Sequence, residues 1–126
     1  MTSLYLAVEK TLGLYFDGLY HSDTGLLKQV FHPDARYVCA SEADLLQLDM
    51  ESYFPIVAAR PSPASRNEPR QDKVVSIAFA GNKTAFATVN CAIGEKFFTD
   101  FLTLIYHDDR WQIIAKVFHY ELKSAN

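Results

Sequence analysis

The sequence has few cysteines, no basic block and no long apolar run, and each of these shortages excludes a class of protein. Its two cysteines, Cys39 and Cys91, lie far apart, and no CxxC pair occurs. We therefore expect two small buried side chains and not a zinc or redox site. The net charge of −3 without a cluster of lysine and arginine argues against nucleic acid or an anionic membrane as a partner.

No apolar run approaches the ~20 residues that a membrane-spanning helix needs. Glu9 and Lys10 interrupt the N-terminal segment, which lacks the hydrophobic stretch of a signal peptide. We therefore expect a cytoplasmic protein. Residues 1–126 show no shift in composition and no internal repeat, so they predict one domain, long enough to bury a core of its own.

Helices are predicted in the first half of the chain. Apolar residues recur at helical spacing over 3–20, where Ser3 can cap the N-terminus, and shorter helices are expected at 24–30 and 50–59. Residues 60–70 contain three prolines and must form a loop, which is either a lid or a plain surface loop.

Strands are predicted mainly in the second half of the chain. Segments rich in aromatic and β-branched residues lie at 73–80, 84–92, 97–106 and 111–120, and short strands are expected at 36–40 and 45–48. Helices followed by an antiparallel meander define an α+β class, in which a twisted sheet wraps around the helices.

The last two strands predict a small polar site. If Asp108 and Asp109 form a two-residue turn, Leu104 pairs with Ile113 and Asp100 lies opposite Val117. Asp100 and His119 then share one apolar face as diagonal neighbours. A carboxylate and an imidazole on such a face are typical of a pocket wall.

The opposite face of this hairpin is apolar as well, since it is expected to carry Phe97, Phe101, Ile105, Ile114 and Phe118. One face can cover the helices, and the other then needs a second cover. We expect a homodimer in which the same face of another copy supplies it.

Several segments resemble the NTF2-like superfamily of ketosteroid isomerases and polyketide cyclases, and within it the putative lumazine-binding subfamily. They lie at 15–20, 31–35, 57–61, 98–104 and 110–119. The most specific combination is Phe31-His32-Pro33-Asp34-Ala35 together with the ending, in which Arg110-Trp111-Gln112-Ile113 is followed by Lys116-Val117-Phe118-His119. The resemblance implies a cystatin-type cone, in which three N-terminal helices pack in a curved antiparallel or mixed sheet around a pocket.

Enzymes of this superfamily often move a proton with a pocket carboxylate, so the resemblance makes Asp100 the candidate general base and His119 its catalytic partner. A partly desolvated carboxylate is a stronger base. Two other roles stay open. Asp100 can instead form an ion pair with Lys116 or Arg36 at the sheet edge, and His119 can bond backbone at a frayed strand end.

The expected ligand-binding residues are Tyr15, His32, Tyr37, Tyr53 and Phe98. The tyrosines can donate hydroxyls to a ligand carbonyl or simply pack in the core. His32 can point into the cone or cap the second helix. The histidines and Asp100 lack the local spacing of metal ligands, so we expect neither a metal nor a cofactor.

Three functions remain open at this stage. The first is a binding protein whose apolar, aromatic-lined pocket takes a small hydrophobic or aromatic ligand. The second is a cofactor-free isomerase, cyclase or dehydratase that uses Asp100 and His119. The third is a structural homodimeric interaction module whose cone is filled by side chains.

Overall fold

The structure, a computed structural model, describes residues 3–123 and contains three α-helices there. They are α1 (Leu4–His21), α2 (Thr24–Val30) and α3 (Met50–Ala59). Each begins at a residue whose side chain accepts a hydrogen bond from a backbone N–H in the first turn, and these N-caps are Ser3, Asp23 and Asp49. The predicted helices are confirmed, and α1 extends one residue further than expected.

Six strands form one mixed sheet in the order β2-β1-β6-β5-β4-β3. The strands are β1 (Phe31–Cys39), β2 (Leu46–Asp49), β3 (Lys73–Ala80), β4 (Thr84–Ile93), β5 (Lys96–His107) and β6 (Arg110–Leu122). Strands β1 and β6 run parallel, whereas the other neighbours are antiparallel. The α+β class, with three helices against a curved mixed sheet, is confirmed. The prediction of one domain over 1–126 includes residues 1, 2 and 124–126, which lie outside the described residues.

The core lies between α1 and the concave side of the sheet. Strand β4 presents small side chains there, at Ala85, Ala87 and Cys91, and α1 contributes Val8 and Leu12, all of them buried. Small residues on the sheet allow a helix to approach closely, so the alternating small face of β4 positions α1 and the residues that it carries.

The turn between β5 and β6 is the predicted two-residue turn. Asp108 and Asp109 both have positive φ angles, of 53° and 62°, and His107 pairs with Arg110. Such a turn matches the twist of the strands that it joins. The pairing of Leu104 with Ile113 is also confirmed.

Beyond that pair, β6 contains a bulge that the sequence analysis did not foresee. Thr103 pairs with Ala115, which leaves Ile114 as an extra residue, and Asp100 lies opposite Phe118. The predicted pairing of Asp100 with Val117 is therefore wrong. A shift of one residue exchanges the two faces of a strand. Phe118 therefore lies on the concave side, whereas the sequence predicted it on the outer face.

The proline-rich segment contains a short 3₁₀ helix, Ala64–Arg66, and is tied to its surroundings through Glu68. The Glu68 carboxylate lies 2.9 Å from Arg66 Nε and accepts a hydrogen bond from the backbone N–H of Gly94. The backbone carbonyl oxygen of Glu68 accepts a hydrogen bond from the Tyr20 hydroxyl. These bonds fix the loop in the structure, and a lid function stays a prediction.

None of the helices within residues 3–123 has the length and apolarity needed to span a membrane. The cytoplasmic location stays a prediction.

Candidate functional site

The bulge in β6 determines which polar side chains enter the core. With Ile114 as the extra residue, Lys116 pairs with Leu102 and becomes the diagonal neighbour of Asp100 on the concave face. Both side chains are buried, with Asp100 0% and Lys116 4% exposed. A carboxylate and an ammonium thus lie together in the core.

Asp100 forms close contacts through one of its two oxygens. The Tyr15 hydroxyl donates a hydrogen bond of 2.5 Å to Oδ2, and Lys116 Nζ lies 3.9 Å from the same oxygen. The ion pair between Asp100 and Lys116, one of the two alternatives from the sequence, is present, but it lies in the core and not at the sheet edge. Oδ1 of Asp100 is buried without a hydrogen-bond partner among the described residues.

Burial and charge fix the protonation of the two partners of Asp100. Burial raises the pKa of Tyr15 well above its ordinary value, and the negative charge of Asp100 raises it further. Tyr15 therefore keeps its proton and acts as a donor. Burial alone would lower the pKa of Lys116, but the nearby carboxylate of Asp100 more than compensates, and the net shift is upward. Lys116 is therefore an ammonium group.

Four aromatic rings surround this ammonium. Lys116 Nζ lies 5.1 Å from the ring centroid of Tyr15, 5.2 Å from that of Tyr37, 5.9 Å from that of Tyr53 and 5.0 Å from that of Phe118. Aromatic faces attract a cation at this range, most strongly where water is excluded. The rings therefore stabilise a charge that would otherwise be costly to bury.

A cavity of about 410 Å³ lies beside this cluster. It is bounded mainly by aromatic and aliphatic side chains from the strands and from α3. Its lining residues are Tyr37, Glu42, Leu46, Leu48, Tyr53, Ile56, Arg60, Ile93, Glu95, Lys96, Phe98, Phe118, Tyr120 and Leu122.

A small extension of about 10 Å³ adjoins the cavity and reaches Lys116, Leu19 and Cys91. The two spaces share five lining residues, namely Tyr37, Tyr53, Arg60, Ile93 and Phe98. The Tyr53 hydroxyl and Arg60 Nε are buried there without hydrogen-bond partners among residues 3–123. Burial raises the pKa of Cys91 to about 12, so this side chain is a neutral thiol. We call this space the inner extension.

The predicted ligand-binding residues differ in how they relate to the cavity. Tyr37, Tyr53 and Phe98 line it, and Tyr37 stacks on Tyr53 at a centroid distance of 4.5 Å. Tyr15 is not among the lining residues and acts through Asp100 and Lys116. Asp100 does not line the cavity either, and its side chain is fully buried.

His119 lies on the other face of the sheet from Asp100. It pairs with Thr99, is exposed and has Nδ1 2.7 Å from the Ser41 hydroxyl oxygen. The prediction that Asp100 and His119 share a face is wrong, because the bulge turns every residue beyond Ile114 to the opposite side. Lys116 occupies the place beside Asp100 that His119 was expected to take.

His32 does not join this cluster. Its Nδ1 accepts a hydrogen bond from the backbone N–H of Asp34, and its ring lies 5.9 Å from that of His107. Helix α2 is capped at its C-terminus by the backbone of Phe31, so His32 has no capping role. Within residues 3–123 no cluster of three His, Cys, Asp or Glu side chains is arranged to hold a metal ion.

Two residues at the inner extension were missed by the sequence analysis as site residues, Lys116 and Arg60. Lys116 was considered only as a partner for Asp100, since the unbroken strand pattern gives no sign of a bulge. Arg60 lies directly after α3, and its burial depends on how that helix packs against the sheet. Neither position carries a local sequence signal.

Comparison with known proteins identifies a family. Residues 5–119 match the profile of the family described as "Putative lumazine-binding". No curated protein sequence matches this chain at a significant level.

Solved structures with the same fold have low sequence identity. An NTF2-like protein of unknown function from Shewanella baltica superposes with a TM-score of 0.82 at 20% identity and covers 93% of each chain. An NTF2-like protein of unknown function from Silicibacter pomeroyi has a TM-score of 0.79 at 21% identity, and the match covers 93% of this chain and 95% of the other. A ketosteroid isomerase-like protein from Erwinia carotovora atroseptica has a TM-score of 0.73 at 7% identity, and the match covers 95% of this chain and 98% of the other. At these identities the likeness shows the NTF2-like fold and no more.

Proposed function

Because the chain belongs to the family described as "Putative lumazine-binding", we propose that it binds a small, flat ligand in the cavity beside α3. The observation that carries this proposal is a cavity of about 410 Å³ with a largely apolar lining and a few polar groups at its inner end. Sites for small molecules are typically about 300–1,000 Å³ and have this composition.

The aromatic side chains of the cavity favour a planar ligand. Tyr37 and Phe98 both lie against Phe118, at centroid distances of 4.7 and 5.8 Å. Flat conjugated molecules pack well on such rings, in stacked or edge-to-face arrangements. Lumazine, a bicyclic ring with two carbonyl groups, is the first probe that the family description recommends.

Filling the cavity should weaken ligand binding. Ile56 lines the cavity from an exposed position on α3, so Ile56→Trp adds bulk there without disturbing the core. We expect this variant to weaken the binding of lumazine, or of the neutral probe naphthalene-2-carboxamide, by about tenfold or more, equal to ~1.4 kcal/mol. Isothermal titration calorimetry measures this affinity directly.

Ala58→Trp is the matched control, because Ala58 is exposed on the same helix but does not line the cavity. It should bind both probes as the unmodified protein does. Native mass spectrometry of the purified protein would also detect any ligand that the protein carries from the cell. The proposal fails if neither probe binds and no small molecule co-purifies.

Proton transfer by Asp100 stays a prediction, and its support is the unpartnered Oδ1 atom, which has lone pairs free to accept a proton. A general base must reach the substrate, however. Lys116 lines the inner extension, whereas Asp100 lines neither the extension nor the cavity. The geometry therefore favours binding over catalysis, with His119 outside the site in either case.

The outer face of the sheet supports a second part of the proposal, a homodimer. Phe101 is 50% exposed and Val117, its partner in the register, is 48% exposed. The exposed ring of Phe86 lies 5.5 Å from that of Phe101. The outward neighbours of Phe101 on β4 and β5 are uncharged, at Thr88, Thr99 and Thr103. Arg36 and His119 lie on the same face beside this patch, paired with Ala115 and Thr99. A second copy brings the same apolar patch, so the two patches can bury each other's hydrophobic surface.

A charge on this face should prevent association. We expect size-exclusion chromatography with light scattering to give twice 14.3 kDa for the unmodified protein and 14.3 kDa for Phe101→Asp. The introduced carboxylate would be buried and unpaired in the dimer. Leu6→Asp, at an exposed position on α1, is the control and should remain dimeric. A Phe101→Asp variant that stays dimeric would contradict the assigned interface.

A further inference from the structure

The inner extension is lined by hydrogen-bond donors that are buried. Lys116 lines it with an ammonium group, and the Tyr53 hydroxyl and Arg60 Nε are buried there without hydrogen-bond partners among the described residues. Ammonium and guanidinium groups only donate hydrogen bonds, and a tyrosine hydroxyl can donate as well. The chemistry of this space is therefore that of a site for a hydrogen-bond acceptor.

The charges around this space do not cancel. Asp100 offsets Lys116, whose Nζ lies 3.9 Å from its Oδ2, beyond hydrogen-bond distance. Arg60 has no carboxylate within ion-pair distance among residues 3–123. The positive charge of Arg60 is therefore left over, on a side chain that is half-buried with its Nε atom buried, where water screens it less than on an exposed group.

The size of the extension limits what enters it. Its volume of about 10 Å³ is close to that of one water-sized group, which needs about 10–15 Å³. The larger cavity has room for a ring system beside it. A planar body in the cavity that projects one small oxygen group into the extension matches both spaces.

We propose that the inner extension binds the carboxylate or other anionic oxygen of a flat, acidic ligand, with Lys116, Arg60 and Tyr53 as its hydrogen-bond donors. This inference rests on the proposed function and specifies the ligand class. A carboxylate oxygen satisfies the buried Tyr53 hydroxyl and Arg60 Nε, and it neutralises the excess positive charge. Two acidic side chains near the opening, Glu42 and Glu95, are exposed, so solvent screens their repulsion of such a ligand.

The test compares two probes that differ mainly in charge, naphthalene-2-carboxylate and naphthalene-2-carboxamide. Both are flat and carry a carbonyl oxygen, so the ratio of their affinities reports the charge. At pH 7 we expect calorimetry to give about tenfold or tighter binding of the carboxylate, as charge-assisted hydrogen bonds predict. Equal affinities, or tighter binding of the carboxamide, would overturn the inference and leave the binding function intact.

Variants locate the source of this preference. Arg60→Gln keeps a donor but removes the charge at a half-buried position, so the fold should tolerate it, and the carboxylate preference should fall by about tenfold. Lys73→Gln removes the same charge at an exposed position outside the cavity lining and should keep the preference. Equal losses in the two variants would overturn the assignment to the inner extension.

A third variant tests the role of Lys116 without leaving a buried charge unpaired. Asp100→Asn combined with Lys116→Met removes both charges, and we expect a weaker carboxylate preference, measured as the ratio of the two affinities. An unchanged preference would show that Lys116 does not contact the anionic group. If the unmodified protein binds neither lumazine nor either naphthalene probe and no small molecule co-purifies with it, the proposed function itself is overturned.

Discussion

Replacing Lys116 with methionine should lower the free energy of unfolding by about 3–5 kcal/mol, because it leaves the buried Asp100 carboxylate without its counter-charge. Methionine has nearly the length of lysine and packs well against aromatic rings, so the four rings around the side chain lose little contact. The loss therefore reports electrostatics and not a cavity. Urea denaturation of the two proteins at pH 7 measures it.

The control is the double variant Asp100→Asn with Lys116→Met. The asparagine carbonyl can still accept the hydrogen bond from the Tyr15 hydroxyl, and no charge remains buried. We expect the double variant to regain most of the lost stability, since a neutral replacement of a buried ion pair is often well tolerated. If the double variant is no more stable than Lys116→Met, the cost comes from packing and the electrostatic explanation is wrong.

Two glycines of α1 should respond in opposite directions to replacement by alanine. A Cβ atom at Gly18 would lie 2.6 Å from Leu27 Cδ2 and 2.9 Å from its Cγ, and Leu27 is fully buried. A Cβ atom at Gly13 meets nothing within 4 Å. Alanine favours the helix by about 0.5–1 kcal/mol at either position. The difference between the two variants therefore isolates the contact with Leu27, where overpacking costs about 1–3 kcal/mol.

We expect Gly13→Ala to be more stable than the unmodified protein and Gly18→Ala to be less stable. Chemical denaturation of the three proteins under one set of conditions gives both signs. Equal stabilisation by the two replacements would mean that Leu27 moves aside at no cost, and that the α1–α2 contact does not require a glycine.

Much of the fold was predictable because local signals agree with the tertiary structure. The helices α2 and α3 begin after capping aspartates and have the predicted ends, and α1 follows its apolar periodicity. Strand β1 is the main exception. It was predicted to begin at Arg36, but parallel pairing of Phe31 with Ile113 extends it past Pro33, where the register shifts. Only tertiary pairing holds that segment in a strand.

The candidate site was less predictable, and the cause is one residue in β6. From Ile113 to Phe118 both faces of this strand are largely apolar, so neither register leaves more hydrophobic surface in water than the other. Periodicity cannot reveal a bulge in such a segment. Asp100 lies in the core and not in the cavity wall, and its diagonal neighbour is Lys116, whereas the sequence predicted His119.

The bulge at Ile114 reverses the inward and outward positions of the residues that follow it in β6. Lys116 and Phe118 face the interior, and Val117 and His119 face outward. If the same residues ran through this strand without a bulge, Val117 and His119 would face the interior in place of Lys116 and Phe118. In this strand, the presence of one bulge therefore changes the chemistry of the interior without the substitution of any amino acid.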